Sequence, residues 1–249
     1  MRGRMSLAMP LAAITSIHEQ YLALSWIARE RFAGALEGKI LLCGSACGAG
    51  AVVAASVAGA ASLWVDGDAE ALRAALRAGF CDFVVTTLDE ALRILKNEVR
   101  QRRPVSVGLS AEPLLSLREM VDRGFQPDLL VASAGGSEQE ARVLAQRGAV
   151  VVPDRSELQP DTSLLCWTVD AGAARTLPQI ARMAAQILDP ASPDTAARRR
   201  WLEVAPRYLG RSFARQGCVR MDRHESAAFV ARVRAEHPDV SLTCDGTGI

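Results

Sequence analysis

With 249 residues, 49% of them apolar and 23% charged, the chain is long enough for one large or two small domains around a buried core. Neither intrinsic disorder nor a disulfide-stapled miniprotein fits that composition. Lys+Arg 29 against Asp+Glu 28 leaves a formal charge of +1, and aromatic residues make up 5%, so nucleic acid and anionic membranes find no basic footprint and bases no stacking platform.

The opening Met1-Arg-Gly-Arg4 and the mostly apolar stretch to Ile17 imitate a signal peptide, but Pro10 breaks the run and no small-residue cleavage site follows. No segment reaches about 18 uninterrupted apolar residues, which argues against a membrane span. A helix is expected over Gln20–Phe32, and its Tyr21, Leu24, Trp26 and Ile27 are candidates for a self-association surface, with burial inside the subunit as the alternative. From about Leu36 onward, short β-branched runs alternate with amphipathic stretches, the pattern of βαβ units and a mostly parallel sheet. Strands are predicted at Ile40–Cys43, Ser62–Asp66, Asp82–Val85, Val105–Leu109, Leu129–Ala132 and Ala149–Val152. Between Thr87 and Arg102, Leu88, Ala91, Leu92, Leu95 and Val99 fall on one helical face behind a Thr87/Glu90 capping box. Ser116 with Glu119 and Ser137 with Glu140 repeat that signature, Ser116 with the alternative of a helix beginning nearer Pro113. Gly79, Gly124 and Gly148 each stand between a helical stretch and an apolar strand, where a helix ends in a left-handed residue.

The texture changes after Val152, with turn-rich Pro153-Asp-Arg-Ser156 and Gln159-Pro-Asp-Thr162. The domain boundary is therefore placed near residue 153, followed by an apolar run at Leu164–Val169, helices at about 176–188, 195–213 and 225–236, and strands at Cys218–Met221 and Val240–Thr243. Arg198-Arg199-Arg200 reads as a solvated helix face rather than a phosphate site.

Directly after the first strand stands Gly44-Ser-Ala-Cys47-Gly48-Ala-Gly50, then a helix of small residues. A glycine-rich turn opening a helix gathers bare N–H groups and the positive end of the helix dipole at one point, which suits a pyrophosphate. Asp66 closes the second strand 22 positions after Gly44, where such folds place an acid for the adenine ribose hydroxyls. The spacing departs from G-x-G-x-x-G, and a tight turn whose glycines only permit close packing is the alternative. Gly44, Gly48, Gly50 and Asp66 are the predicted cofactor-binding residues, and a short carboxylate at the ribose favours NAD over NADP.

Met1-Arg-Gly-Arg-Met5, Arg31-Phe-Ala-Gly34-Ala-Leu-Glu-Gly38-Lys-Ile40, the glycine turn, Ala58-Gly59-Ala60, Leu88-Asp-Glu-Ala-Leu92 and Arg123-Gly-Phe-Gln-Pro-Asp128 run in one order over residues 1–135. In this series the chain resembles the urocanases, with weaker similarity from Trp201-Leu-Glu-Val-Ala205 through Met221 and in Cys244-Asp-Gly-Thr-Gly248. The resemblance implies a tightly bound NAD⁺ that acts as an electrophile on an imidazole ring, a homodimer, and water addition to urocanate in histidine degradation. Against the family pattern the glycine loop is shorter, a Gln is replaced by Arg4, a Glu by Asp66, a Gly-Asn pair by Ala111-Glu112, and Asp-Gln-Thr-Ser by Ala132-Ser133-Ala134-Gly135. The segment that carries the family's catalytic cysteine has no counterpart between the cofactor domain and Trp201.

Six cysteines, at 43, 47, 81, 166, 218 and 244, lie scattered, which points to a reducing cytoplasmic setting, and with only His18, His224 and His237 no zinc spacing assembles. Cys47 sits where a helix dipole favours thiolate, yet a small core residue accounts for it better. Cys244-Asp245 reads as a frayed tail, and Asp222, His224 and Glu225 as an N-cap with a solvated His rather than an acid/base pair. The expected architecture is α/β: a three-layer Rossmann-like, mostly parallel sheet over 36–152, and a smaller α/β subdomain from 1–35 plus 153–249. The expected function is a urocanase-like dinucleotide-binding protein, with the missing cysteine segment arguing against hydratase activity. An active NAD-dependent lyase on urocanate or a related imidazole acrylate, and a non-catalytic partner-binding relic, are the alternatives. No catalytic residue and no metal site is assigned.

Overall fold

The computed structural model describes residues 11–45, 48–131, 138–153, 162–210, 213–245 and 247–248. The chain forms two compact units, Gln20–Arg155 and Met1–Glu19 with Ser156–Ile249.

The unit Gln20–Arg155 is built on a six-stranded parallel sheet. Its strands are β1 (Ile40–Cys43), β2 (Ala61–Asp66), β3 (Phe83–Val85), β4 (Ser106–Ser110), β5 (Leu129–Val131) and β6 (Val150–Val152), in the order β3-β4-β2-β1-β5-β6. Helices α2 (Gly48–Ala58), α3 (Ala69–Ala78), α4 (Leu88–Arg100), α5 (Pro113–Asp122) and α6 (Glu138–Gln146) connect them. Because parallel crossovers are right-handed, the direction of travel along the sheet selects the face each helix covers. The steps from β1 to β2 to β3 run one way with α2 and α3. The chain then turns back through β4, β5 and β6 with α4, α5 and α6, whose Leu88, Leu92, Leu95, Leu117, Met120 and Leu144 share one core with Leu42, Leu63, Val65, Val107, Leu109 and Leu130. The result is the expected three-layer Rossmann-like arrangement. On the α3 side, a Cβ at Gly108 would lie 2.8 Å from Leu72 Cδ2, so glycine is what lets α3 approach β4.

Local chemistry holds the register. Asp128 Oδ2 accepts the N–H of Ile40 at 2.9 Å and Oδ1 the Lys39 ammonium at 3.0 Å, which ties the start of β1 to β5. Asp82 Oδ2 accepts from Ser106 N and Oγ at 2.8 and 2.7 Å, fastening the edge strand β3 to β4. Thr87 caps α4 by accepting the Glu90 N–H at 3.4 Å. Helix α5 begins at Pro113 behind Glu112, which places Ser116 inside it as the alternative reading had it; Ser137 lies outside the described residues. Gly79, Gly124 and Gly148 have φ of 81°, 68° and 115°, the left-handed helix ends foreseen for them.

Helix α1 (Leu11–Arg31) contributes its residues up to Glu19 to one unit and the remainder to the other. Of the apolar residues of Gln20–Phe32 offered as a self-association surface, Tyr21, Leu24 and Ile27 are 0–1% exposed, which is the alternative of burial inside the subunit, and Trp26 is half-buried.

The second unit carries an antiparallel sheet in the order β10-β9-β7-β8, from β7 (Ser163–Thr168), β8 (Gln216–Met221), β9 (Ser241–Cys244) and β10 (Thr247–Gly248). Helices α7 (Leu177–Ile187), α8 (Thr195–Tyr208) and α9 (Arg223–Glu236) belong with it. Trp167 packs against Phe229 with centroids 5.3 Å apart, and a Cβ at Gly217 would lie 2.5 Å from the Trp167 ring, so glycine is obligatory beneath the indole. The helix expected over 195–213 stops at Tyr208, because Pro206 withholds a backbone donor from the last turn and Gly210, at φ 62°, turns the chain away. The Cys244-Asp245 tail is not frayed: Asp245 N donates to Leu164 O at 3.0 Å and its Oδ1 accepts the Leu164 N–H at 2.9 Å, anchoring the β9–β10 turn.

The reading of Arg198 as solvated is also overturned. Asp222 and Glu225 form a capping box at the start of α9, and the Glu225 carboxylate, fixed there, pairs with Arg198 at 2.6 Å with both side chains 4% exposed. Arg199 and Arg200 are exposed, as expected of that stretch.

Candidate functional site

The carboxyl ends of a parallel sheet are where loops and helix N-termini meet, and in the order seen here the strand sequence reverses between β1 and β5. Gly44 follows β1 directly and is half-buried; α2 opens at Gly48, with Gly50 in its first turn. Ala46 and Cys47 lie outside the described residues. Gly48 has φ +57°, and a Cβ there would meet nothing within 4 Å. Its glycine therefore answers to backbone conformation, and leaves open space at the helix start, instead of serving close packing against other protein atoms.

The electrostatics of the five helix starts differ. Asp68 caps α3 by accepting from Glu70 N and Ala71 N at 2.9 and 3.1 Å; Asp89 and Glu90 lie in the first turn of α4; Glu112 caps α5; and Glu138 and Glu140 open α6. Helix α2 has no acidic residue in its first turn and no charged residue along its length, and Ala51 to Ala58 are all buried. Of these five helices, α2 is the one whose start shows no carboxylate among the described residues.

Asp66 is the last residue of β2, the strand paired with β1 through Cys43 and Trp64. It is 7% exposed, and its Oδ1 accepts the N–H of Asp68 at 2.9 Å, shaping the turn into α3. The Ala111 N–H donates to the Asp66 carbonyl at 3.2 Å, bringing the end of β4 alongside. The four predicted residues thus lie at the carboxyl ends of two paired central strands, with one Asp66 oxygen already engaged.

Glu112, the carboxylate that replaces an amide of the family pattern, uses both oxygens on its own helix, accepting from Leu114 N at 3.1 Å and Leu115 N at 2.6 Å. Ala132-Ser133-Ala134-Gly135 and Arg4 lie outside the described residues. His224 is exposed, and Asp222 and Glu225 are consumed by capping and ion pairing, which leaves the N-cap reading. His18 is buried edge-on to Trp201 with centroids 4.8 Å apart. No group of three or more His, Cys, Asp or Glu able to hold a metal occurs among the described residues, and no described helix is long and apolar enough to cross a membrane.

A feature that sequence reasoning missed is a cavity of about 720 Å³ in the second unit, walled by Trp167, Leu177, Trp201, Pro206, Phe213 and Cys218 among others. Its lining comes from three helices and two strands, so no local motif announces it. The Arg198–Glu225 pair was missed for the same reason, although the Asp222/Glu225 capping-box spacing was legible.

Residues 16–136 match the family model described as the urocanase Rossmann-like domain. That span contains β1 to β5, the glycine turn and Asp66, and it coincides with most of the ordered series of motifs. The sheet order and the glycine-opened helix agree with that match: within this span the chain forms a Rossmann-like domain similar to that of the urocanases.

Proposed function

We propose that the unit Gln20–Arg155 binds NAD at the carboxyl end of its sheet, with the pyrophosphate at the N-terminus of α2 beside Gly44, Gly48 and Gly50. Asp66 Oδ2 then accepts from the adenine ribose hydroxyls. The observation that carries this reading is the α2 start: left-handed at Gly48, open where a side chain would stand, without an acidic cap in the described residues, and one strand from the buried Asp66. Bound there, NAD supplies an electrophilic nicotinamide ring. The chain's own residues hold the pyrophosphate by backbone N–H groups and exclude a 2′-phosphate by the charge of Asp66.

The same reading makes the protein a nucleotide-binding relative of the hydratases without efficient urocanate hydration. The segment that holds the family's cysteine has no counterpart here, and Glu112 is committed to α5. Pairing of two copies and a cytoplasmic setting belong to this proposal on the strength of the resemblance.

Calorimetric titration tests it. NAD⁺ should bind and NADP⁺ should bind more weakly. Asp66→Ala should weaken NAD⁺ by about tenfold to a hundredfold, as expected for losing a hydrogen bond to a charged group, and should shrink the preference. No heat with either cofactor at millimolar concentration overturns the assignment.

A further inference from the structure

In the second unit, β7 and β8 place two cysteines directly opposite each other, Cys166 facing Cys218. The backbone bonds fix what kind of pair this is. Val169 N donates to Arg215 O at 2.9 Å across the same two strands, and such bonded pairs alternate with non-bonded ones along an antiparallel ladder. Counting back from Val169/Arg215 makes Trp167/Gly217 a bonded pair and Cys166/Cys218 a non-bonded one.

Two further contacts agree. The Cys218 carbonyl, which a non-bonded pair turns away from β7, accepts Trp201 Nε1 at 2.7 Å on the outer side. The Arg220 carbonyl, two residues on, likewise accepts from Arg198 Nη1 at 3.2 Å. At a non-bonded pair the Cα atoms stand about 4.5 Å apart, at the short end of the range of about 4.4–6.8 Å that a disulfide spans.

We infer that Cys166 and Cys218 are a thiol pair that a peroxide converts reversibly into a cross-strand disulfide. The two thiols are hydrogen-bonded to each other, which holds Cys166 below the ordinary thiol range, while burial pushes Cys218 up. Both side chains are buried, but Cys218 forms part of the cavity wall, and that cavity admits a molecule the size of hydrogen peroxide.

The sulfur of one of the two cysteines, its thiol proton released, attacks one peroxide oxygen; the S–O bond forms, the O–O bond breaks, and the hydroxide that leaves takes up that proton as water. The other cysteine, giving up its proton, attacks the sulfenic sulfur; the S–S bond forms, the S–O bond breaks, and the departing hydroxide takes that proton as a second water. Two thiols are oxidised and one hydrogen peroxide is reduced to two waters. A small dithiol reverses the step by thiol–disulfide exchange through a mixed disulfide.

The test uses the full chain, reduced and desalted, exposed to hydrogen peroxide in its native state, quenched with N-ethylmaleimide and digested with trypsin. Of the six thiols in the sequence two should disappear. One linked product should join the peptides ending at Arg175 and Arg220, each of which holds a single cysteine, and dithiothreitol should restore the full count. Cys166→Ala and Cys218→Ser should each abolish the linked product, and the wild-type map stands without them. Retention of all six thiols, or linkage through other cysteines with none between these two peptides, overturns the inference.

Discussion

Replacing Glu225 by Ala tests the buried ion pair that sequence reasoning placed in solvent. The carboxylate accepts three hydrogen bonds: from Arg198 Nη1 at 2.6 Å, from Asp189 N at 2.7 Å and from Asp222 N at 2.9 Å. Its removal leaves the Arg198 charge buried with only neutral oxygens for partners, Thr195 Oγ1 at 3.1 Å and Arg220 O at 3.2 Å, and strips two backbone donors as well. Breaking a buried pair from one side costs about 3–5 kcal/mol, and Glu225→Ala should fall at the upper end because the cap is lost with the charge. Arg198→Met should cost less, since Glu225 keeps its two backbone N–H donors and the methionine fills the space apolar groups can use. Urea unfolding followed by tryptophan fluorescence measures both, because Trp167 and Trp201 are buried in this unit. A Glu225→Ala midpoint corresponding to a loss below about 1 kcal/mol, the value of an exposed pair, would refute the burial argument.

Gly217→Ala should destabilise the second unit by about 1–3 kcal/mol, because the new Cβ would lie 2.5 Å from the buried Trp167 indole and force it to shift; thermal melting decides, and an unchanged melting temperature counts against it. Glu140 is held below the ordinary carboxylate range chiefly by the hydrogen bond from Arg118, so the folded state gains from the charged form above that range and loses the gain as pH falls through it. Glu140→Gln should therefore flatten the acid limb of stability between about pH 5 and pH 3, read as the urea midpoint, whereas an unaltered limb would show the pair to be idle. Purified protein supplied with NAD⁺ should leave urocanate absorbance unchanged on the time scale of a full-length urocanase; turnover within about tenfold of that control would show the missing segment to be dispensable.

Much of the parallel sheet was determined locally. Each of its strands is a short apolar run bounded by a glycine, a cap or a charged helix, and Gly79, Gly124 and Gly148 end helices in the one conformation that glycine adopts without strain. The glycine turn and Asp66 were visible for the same reason, since a nucleotide cradle is made of backbone at a strand-to-helix junction and an acid at the next strand end. What the sequence could not decide was which surfaces meet. Whether Tyr21, Leu24 and Ile27 form a self-association surface or are buried inside the subunit stayed open, because periodicity shows that a face is apolar without showing what covers it. Arg198 read as solvated because its partner stands 27 residues away on another helix. Cys166 and Cys218, 52 residues apart in the chain, became a pair through the register of β7 and β8, which is settled by the packing of the whole unit and by no pattern within either strand.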